Sequence, residues 1–214
     1  MAISDLFRRK EDHEPTDPSG DRALTFPTKA LPRFLSTLKS REQPILLDLG
    51  PVVGQNVTFF GERLGCKIFV EDIFGDVERH VRQQTVSALP LFFAGRFPQA
   101  DGTVDGILCW DVFDYLERPA AQALAAQLTR ILRPGGALLA LFGTVAPQPG
   151  RASYTKRTVV DETTLRHRDW PAARAKQPPV LNRDITRLFE PLTVSEQFLL
   201  KTNVREVLFR KPAA

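Results

Sequence analysis

Sulfur and histidine are scarce in this chain: two cysteines, one methionine and three histidines in 214 residues. Two cysteines cannot staple a disulfide scaffold. His13, His80 and His167 are scattered, none beside a cysteine at ligand spacing, so no metal is expected. Cys66 and Cys109 lie inside apolar, strand-like runs and read as two buried thiols in a reducing cytosol. No apolar run approaches the ~18 residues of a membrane-spanning helix. The longest, GALLALFG at 136–143, has the length of a buried strand. The N-terminus, MAISDLFRRKEDHEP, lacks the apolar core of a secretory signal, so a cytoplasmic location with no membrane partner is expected. Charge of one sign is also thin. Lys plus Arg number 29 against 25 Asp plus Glu, a net +4 that permits an anionic partner but is too sparse for a nucleic-acid binder.

What is present is enough apolar residue, 43%, to bury a core of one domain. Residues 1–26 are polar and proline-bearing and read as a flexible tail, with Ala2–Phe7 a candidate docking helix; residues 27–214 read as the folded domain. Leu31, Phe34, Leu35 and Leu38 form one helical stripe. Pro44 to Gly50 then gives an apolar strand ending at Asp48. Val57, Phe60 and Leu64 give a helix that stops at Gly65, and Cys66 to Val70 a second strand ending at Glu71 and Asp72. A helix over 76–85 follows, and a strand is expected somewhere in 86–103. Val104 to Trp110 is a further strand, and Ala121, Leu124, Leu128 and Leu132 stripe a helix. Ala137 to Phe142 is again apolar on both faces. Alternating strands and helices at this spacing indicate an α/β sheet covered on both sides.

The last third differs. Over 145–183 eight basic residues stand against three acidic ones. Tyr154–Val160 and Thr163–Arg168 flank Asp161-Glu162 as a two-stranded ribbon would. Asn182 reads as the N-cap of a short helix, and 192–200 with 204–210 read as a closing antiparallel hairpin.

The informative constellation is strand, Asp48-Leu-Gly50-Pro-Val-Val-Gly54, helix, strand, Glu71. A glycine directly after a strand lets the backbone approach a ligand without a Cβ in the way. An acidic residue ending the next strand, about 20 positions on, suits ribose hydroxyls. Together they point to a nucleoside-type cofactor at the switch point of a parallel sheet. The glycines are four apart, which is not the dinucleotide fingerprint, and a nicotinamide-dependent oxidoreductase is disfavoured.

Asp48-x-Gly50-x-Val52-x-Gly54 resembles the DxGxGxG loop of the class I S-adenosylmethionine-dependent methyltransferases, type 11-like, at three of four fixed positions. Asp105 to Leu116 resembles that family's fourth strand and following turn, ILRPGG at 131–136 the approach to its fifth, and the terminal hairpin its sixth and seventh. The resemblance implies a three-layer sandwich with a Rossmann-like, mostly parallel seven-stranded sheet whose last strand is antiparallel. It implies S-adenosylmethionine as cofactor, met by Asp48, Gly50, Pro51, Gly54, Glu71 or Asp72, Trp110 and Asp111. It also implies methyl transfer to a small-molecule acceptor. Asp114, Tyr115, Tyr154 and His167 are candidates to touch that acceptor, and the Arg and Lys of the insertion suggest an anionic one. Two departures are plain: Val52 replaces the middle glycine, and no Asp or Glu occurs between Glu78 and Asp101, where an adenine contact belongs. They leave open an alternative, a non-catalytic relative with a degenerate cofactor loop that binds a partner through the basic insertion.

Overall fold

A strand that is apolar on both faces needs a helix layer on each side. In the computed structural model, which describes residues 24–147, 150 and 152–213, Leu46 of β2 (Ile45–Asp48) enters one core and Leu47 the other. β4 (Val104–Trp110) alternates likewise, with Ile107 and Cys109 on one side and Leu108 and Trp110 on the other. With β3 (Lys67–Val70), β5 (Leu132–Gly143), β8 (Thr193–Leu199) and β9 (Val204–Arg210), they form one sheet in the order β3-β2-β4-β5-β9-β8. The first four strands are parallel, and β9, the last in sequence, runs antiparallel to β5.

This is the mostly parallel α/β sandwich implied by the sequence, with six strands in place of seven. The strand expected in 86–103 is absent. Pro90 fits the first turn of a helix, and Leu89 and Phe93 bury against the layer of α5 (Arg118–Ile131). The stretch therefore forms a 3-10 turn (Val86–Ala88) and α4 (Leu89–Ala94).

One face of the sheet is covered by α3 (Ile73–Arg82), α4, α5 and α6 (Asn182–Leu188). The other is covered by α1 (Ala30–Lys39) and by α2 (Gly54–Thr58), which continues through a π-turn over Phe59–Arg63. The predicted stripe of Leu31, Phe34, Leu35 and Leu38 is fully buried. It lies so close to β4 that a Cβ on Gly106 would stand 2.7 Å from Leu38 Cδ2 and 2.8 Å from Phe34 Cζ. The first turn of α1 has no side-chain cap of its own. Instead Glu206 of β9, 1% exposed, accepts from the Lys29 and Ala30 amides, both at 2.8 Å, and from Thr28 Oγ1. A carboxylate at a helix N-terminus satisfies its free N–H groups and its dipole together.

A second sheet, ordered β1-β7-β6, packs beside α1. Its ribbon of β6 (Ser153–Asp161) and β7 (Thr164–Pro171) is the expected one. Its third strand, β1 (Leu24–Pro27), takes residues that the sequence reading placed in the tail. Leu24 pairs opposite His167 and Phe26 opposite Leu165, so a short apolar segment gains a partner edge. The rest of the expected tail, residues 1–23 with the Ala2–Phe7 helix, and Arg151 of the basic insertion lie outside the described residues. One cap is also reassigned. Leu181 holds the N-cap of α6, while Asn182 is its first residue and accepts from Gln197 at 3.3 Å.

Candidate active site

The parallel strands β2, β3 and β4 end side by side, and Asp48, Gly50, Glu71, Asp72, Trp110 and Asp111 all stand at or just after those ends. After Asp48 the chain turns so that the Gly50 N–H donates to Asp48 Oδ1 at 2.9 Å. The Trp110 indole N–H donates to the same oxygen at 2.6 Å. The indole packs against the turn. A Cβ on Gly50 would be 2.7 Å from Trp110 Cδ1, so glycine is required there, by a side chain of the protein itself. Trp110 holds its place at φ +47°, a left-handed conformation that a bulky residue adopts only under local constraint. Burial pushes the Asp48 carboxyl up to about 6, against the pull of the Gly50 and Trp110 donors, with the nearby Asp72 charge adding to the rise.

Val52 is not the obstruction. Its side chain is 68% exposed, and it is Pro51 that lines the cleft. Gly54 opens α2 with nothing within 4 Å of where a Cβ would stand.

Of the two acids ending β3, the structure separates the roles. Asp72 accepts from the Gly75 amide at 2.8 Å and so caps α3. Glu71 is left facing the strand ends, where Arg96 meets it at 2.6 Å while also bonding Asp76 at 2.9 Å. Arg96 follows α4, so the segment that replaces the missing strand delivers a cation to Glu71.

The mouth of β4 carries a buried charge cluster. Asp111 accepts from Arg157 of β6, both side chains at most 4% exposed, and from Lys176 at 2.7 Å. Lys176 also reaches Asp114 at 3.0 Å, and Asp114 accepts from the Gly143 amide at 2.9 Å. Burial would raise the Asp111 carboxyl, but Arg157 and Lys176 overcome it and hold Asp111 well below the usual carboxylate range. Asp114 moves the other way. Its burial and the Asp111 charge outweigh Lys176.

The same ribbon is tied down elsewhere. Asn56 of α2 donates to the Arg157 carbonyl at 3.0 Å and accepts from the Val159 amide at 2.7 Å. Tyr154 stacks on Phe74 with ring centroids 4.4 Å apart. Tyr115 is buried, its hydroxyl donating to the Ser153 carbonyl at 2.7 Å, which makes it a strut beneath the ribbon and takes it away from the cleft. Between Gly50, Pro51, Phe74, Trp110, Tyr154 and Arg157 there remains about 10 Å³, room for one water at most. The donor set has the chemistry for a nucleoside: a glycine turn, a carboxylate at the next strand end and an aromatic floor. The space does not fit one in this conformation.

Residues 47–140, from β2 to β5, match the family model described as a methyltransferase domain. The match takes in the four parallel strands other than the first residues of β2 and the last of β5. Its matched stretch stops before β6, so the ribbon that fills the cleft lies outside it. No curated protein matches the sequence. Similar solved structures include the PH0226 protein from Pyrococcus horikoshii OT3, 15% identical over 85% of this chain and 87% of that one, TM-score 0.49. Another is a SAM dependent methyltransferase from Aquifex aeolicus, 17% identical over 84% and 88%, TM-score 0.45. A third is the glycopeptide N-methyltransferase MtfA complexed with (S)-adenosyl-L-methionine, 13% identical over 84% and 87%, TM-score 0.46.

Within the matched stretch, then, Asp48, Gly50, Pro51, Trp110 and Asp111 converge on one cleft, with Glu71 at the neighbouring strand end. Asp72 is spent on capping α3, and Asp114 and Tyr115 are buried behind the mouth. Tyr154 and His167 lie on the ribbon, at the cleft and on the far side of Arg157 respectively. Sequence reasoning missed Asn56, Arg96, Arg157 and Lys176. Nothing local marks them; Arg157 and Lys176 are two among the basic residues of the insertion. Among the described residues no group of His, Cys, Asp and Glu is placed to hold a metal, and no helix is long and apolar enough to cross a membrane.

Proposed function

We propose that this protein transfers a methyl group from S-adenosylmethionine to a small-molecule acceptor, and that the cofactor is admitted when the β6–β7 ribbon lifts from the mouth of β4. The observation that carries the reading is the Asp48–Gly50 turn beside Glu71 at adjacent parallel strand ends, inside a stretch matching a methyltransferase domain. Asp48, Gly50, Pro51 and Gly54 would shape the loop, Glu71 would hold the ribose hydroxyls, and Trp110 and Asp111 would border the reacting end. Asp72, committed to its helix cap, is the weaker of the two acids for the ribose.

Calorimetric titration of S-adenosylhomocysteine into the full chain tests this. Binding is expected, and Glu71→Ala should weaken it by about ten- to a hundredfold, the worth of hydrogen bonds to a charged group. No heat at millimolar ligand would overturn the reading. The closed cleft would then favour a second one, a non-catalytic methyltransferase fold that engages a partner through the basic ribbon.

A further inference from the structure

The inner face of the ribbon does more than close the cofactor cleft. On the side of Arg157 away from Gly50 lies a separate cavity of about 290 Å³, near the lower end of ligand-pocket sizes. Its walls come from four places: Thr155, Arg157, His167, Arg168 and Asp169 on the ribbon, Leu24 and Phe26 on β1, Lys176 on the following loop, and Thr202 with Val204 at the β8–β9 turn; the one carboxylate among them, Asp169, accepts from Thr155 Oγ1 at 2.8 Å. Arg157 and Thr155 line this cavity and the cofactor cleft alike, so the two spaces are neighbours across one side chain.

Two polar atoms of the lining residues are buried without a partner, Arg157 Nε and Thr202 Oγ1. Arg157 is 5% exposed. Buried donors are nearly always satisfied, and an orphan costs about 1–3 kcal/mol, so two on one cavity are unusual. Both can donate, which suits an anionic head. The opposite wall is apolar, with Phe26 tilted against the His167 ring at a centroid distance of 4.6 Å. The imidazole is uncharged at neutral pH. Burial, then Arg157, lowers it to about 4, against the opposing Asp111 and Asp169 charges.

We propose that this cavity is a subsite for a small carboxylate with an apolar body, the carboxylate taken by Arg157 and Thr202 and the body by Phe26, Leu24 and Val204. That this carboxylate is the methyl acceptor rests on the function proposed above; that it binds does not. The cavity adjoins the cleft proposed for the cofactor, the two sharing Thr155 and Arg157.

The test uses the full chain and benzoate as probe, with benzyl alcohol as its neutral counterpart and inorganic phosphate as an anion without an apolar body. Binding is read from the His167 proton resonances and the melting temperature. Benzoate should shift the His167 signals, raise their titration midpoint by placing an anion nearby, and raise the melting temperature. Benzyl alcohol should do none of the three, and phosphate should do less. Thr202→Val removes the unpartnered hydroxyl at constant shape. It should stabilise the free protein slightly while weakening benzoate by about fivefold or more, a combination that a purely structural threonine would not give. No His167 response to benzoate, or an equal response to benzyl alcohol, overturns the proposal; an equal response to phosphate overturns its apolar part. Titrating S-adenosylhomocysteine in the same sample separates the two readings. If that nucleoside binds and benzoate does not, only the subsite fails. If benzoate binds and the nucleoside does not, the subsite stands and the acceptor role falls.

Discussion

Replacing Arg157 by methionine is expected to destabilise the protein by about 3–5 kcal/mol, the cost of leaving one partner of a buried ion pair uncompensated. The carboxylate left behind is Asp111, 3% exposed and then served by Lys176 alone. For a domain of this size the loss corresponds to a fall in melting temperature on the order of 10 °C. Arg157→Met with Asp111→Leu should recover most of it, because an apolar pair of similar volume replaces a desolvated ionic one. Chemical denaturation of the single and double variants measures the coupling directly. A single-variant loss below about 1 kcal/mol would mean that Lys176 satisfies Asp111 by itself and that Arg157 is no latch. A gentler release separates stability from access. Asn56→Ala removes two bonds holding β6 to α2 without touching a charge. It should tighten S-adenosylhomocysteine binding severalfold, since less free energy is spent in opening the ribbon.

These residues also show where sequence reading stops. The α/β sandwich was legible because its strands announce themselves twice, as apolar runs and as sudden stops at Asp48, Glu71 and Gly143. Both signals are local. The helix stripe of α1 was legible for the same reason. The strand expected in 86–103 was laid over a segment whose own residues, Pro90 with Leu89 and Phe93, are better satisfied in a helical turn. Leu24–Pro27 was lost to the tail because four residues beside a polar stretch carry too little pattern. Their order comes from pairing with β7, more than a hundred positions away. In the site, the loop and Glu71 were readable from spacing. Asn56, Arg96, Arg157 and Lys176 were not, because each acquires its role from a partner distant in sequence. Val52 illustrates the converse. A substitution that looks decisive in the motif points its side chain to solvent, while the Gly50 turn is covered by Trp110, which the motif leaves unremarked.

Trp110 and Asp48 together make the second large expectation, a pH dependence. The folded-state pKa of Asp48 is raised from 3.8 to about 6 by burial, so folding favours its protonated form. The stability this group contributes is therefore complete below about pH 4 and is lost as the pH rises through about 6. Two units correspond to about 3 kcal/mol, which wild type should lack at pH 8 relative to pH 4 through this residue alone. Asp48→Asn cannot ionise, yet its side-chain oxygen can still accept from the Gly50 and Trp110 N–H groups. The variant is expected to exceed wild type by about 2–3 kcal/mol at pH 8 and to match or fall below it at pH 4. Asp111 and Asp114 titrate in both proteins, so the difference between the two denaturation curves isolates Asp48. A difference independent of pH would show that the carboxyl titrates alike in the folded and unfolded chain, so that burial does not shift it. A difference of the expected sign gives the closed cleft a physical handle. Burial disfavours ionised Asp48 although the Gly50 and Trp110 donors favour it; with the ribbon lifted and water admitted to the carboxylate, raising the pH through about 6 weakens the closed form, and nucleoside binding to wild type, but not to Asp48→Asn, should strengthen over the same interval.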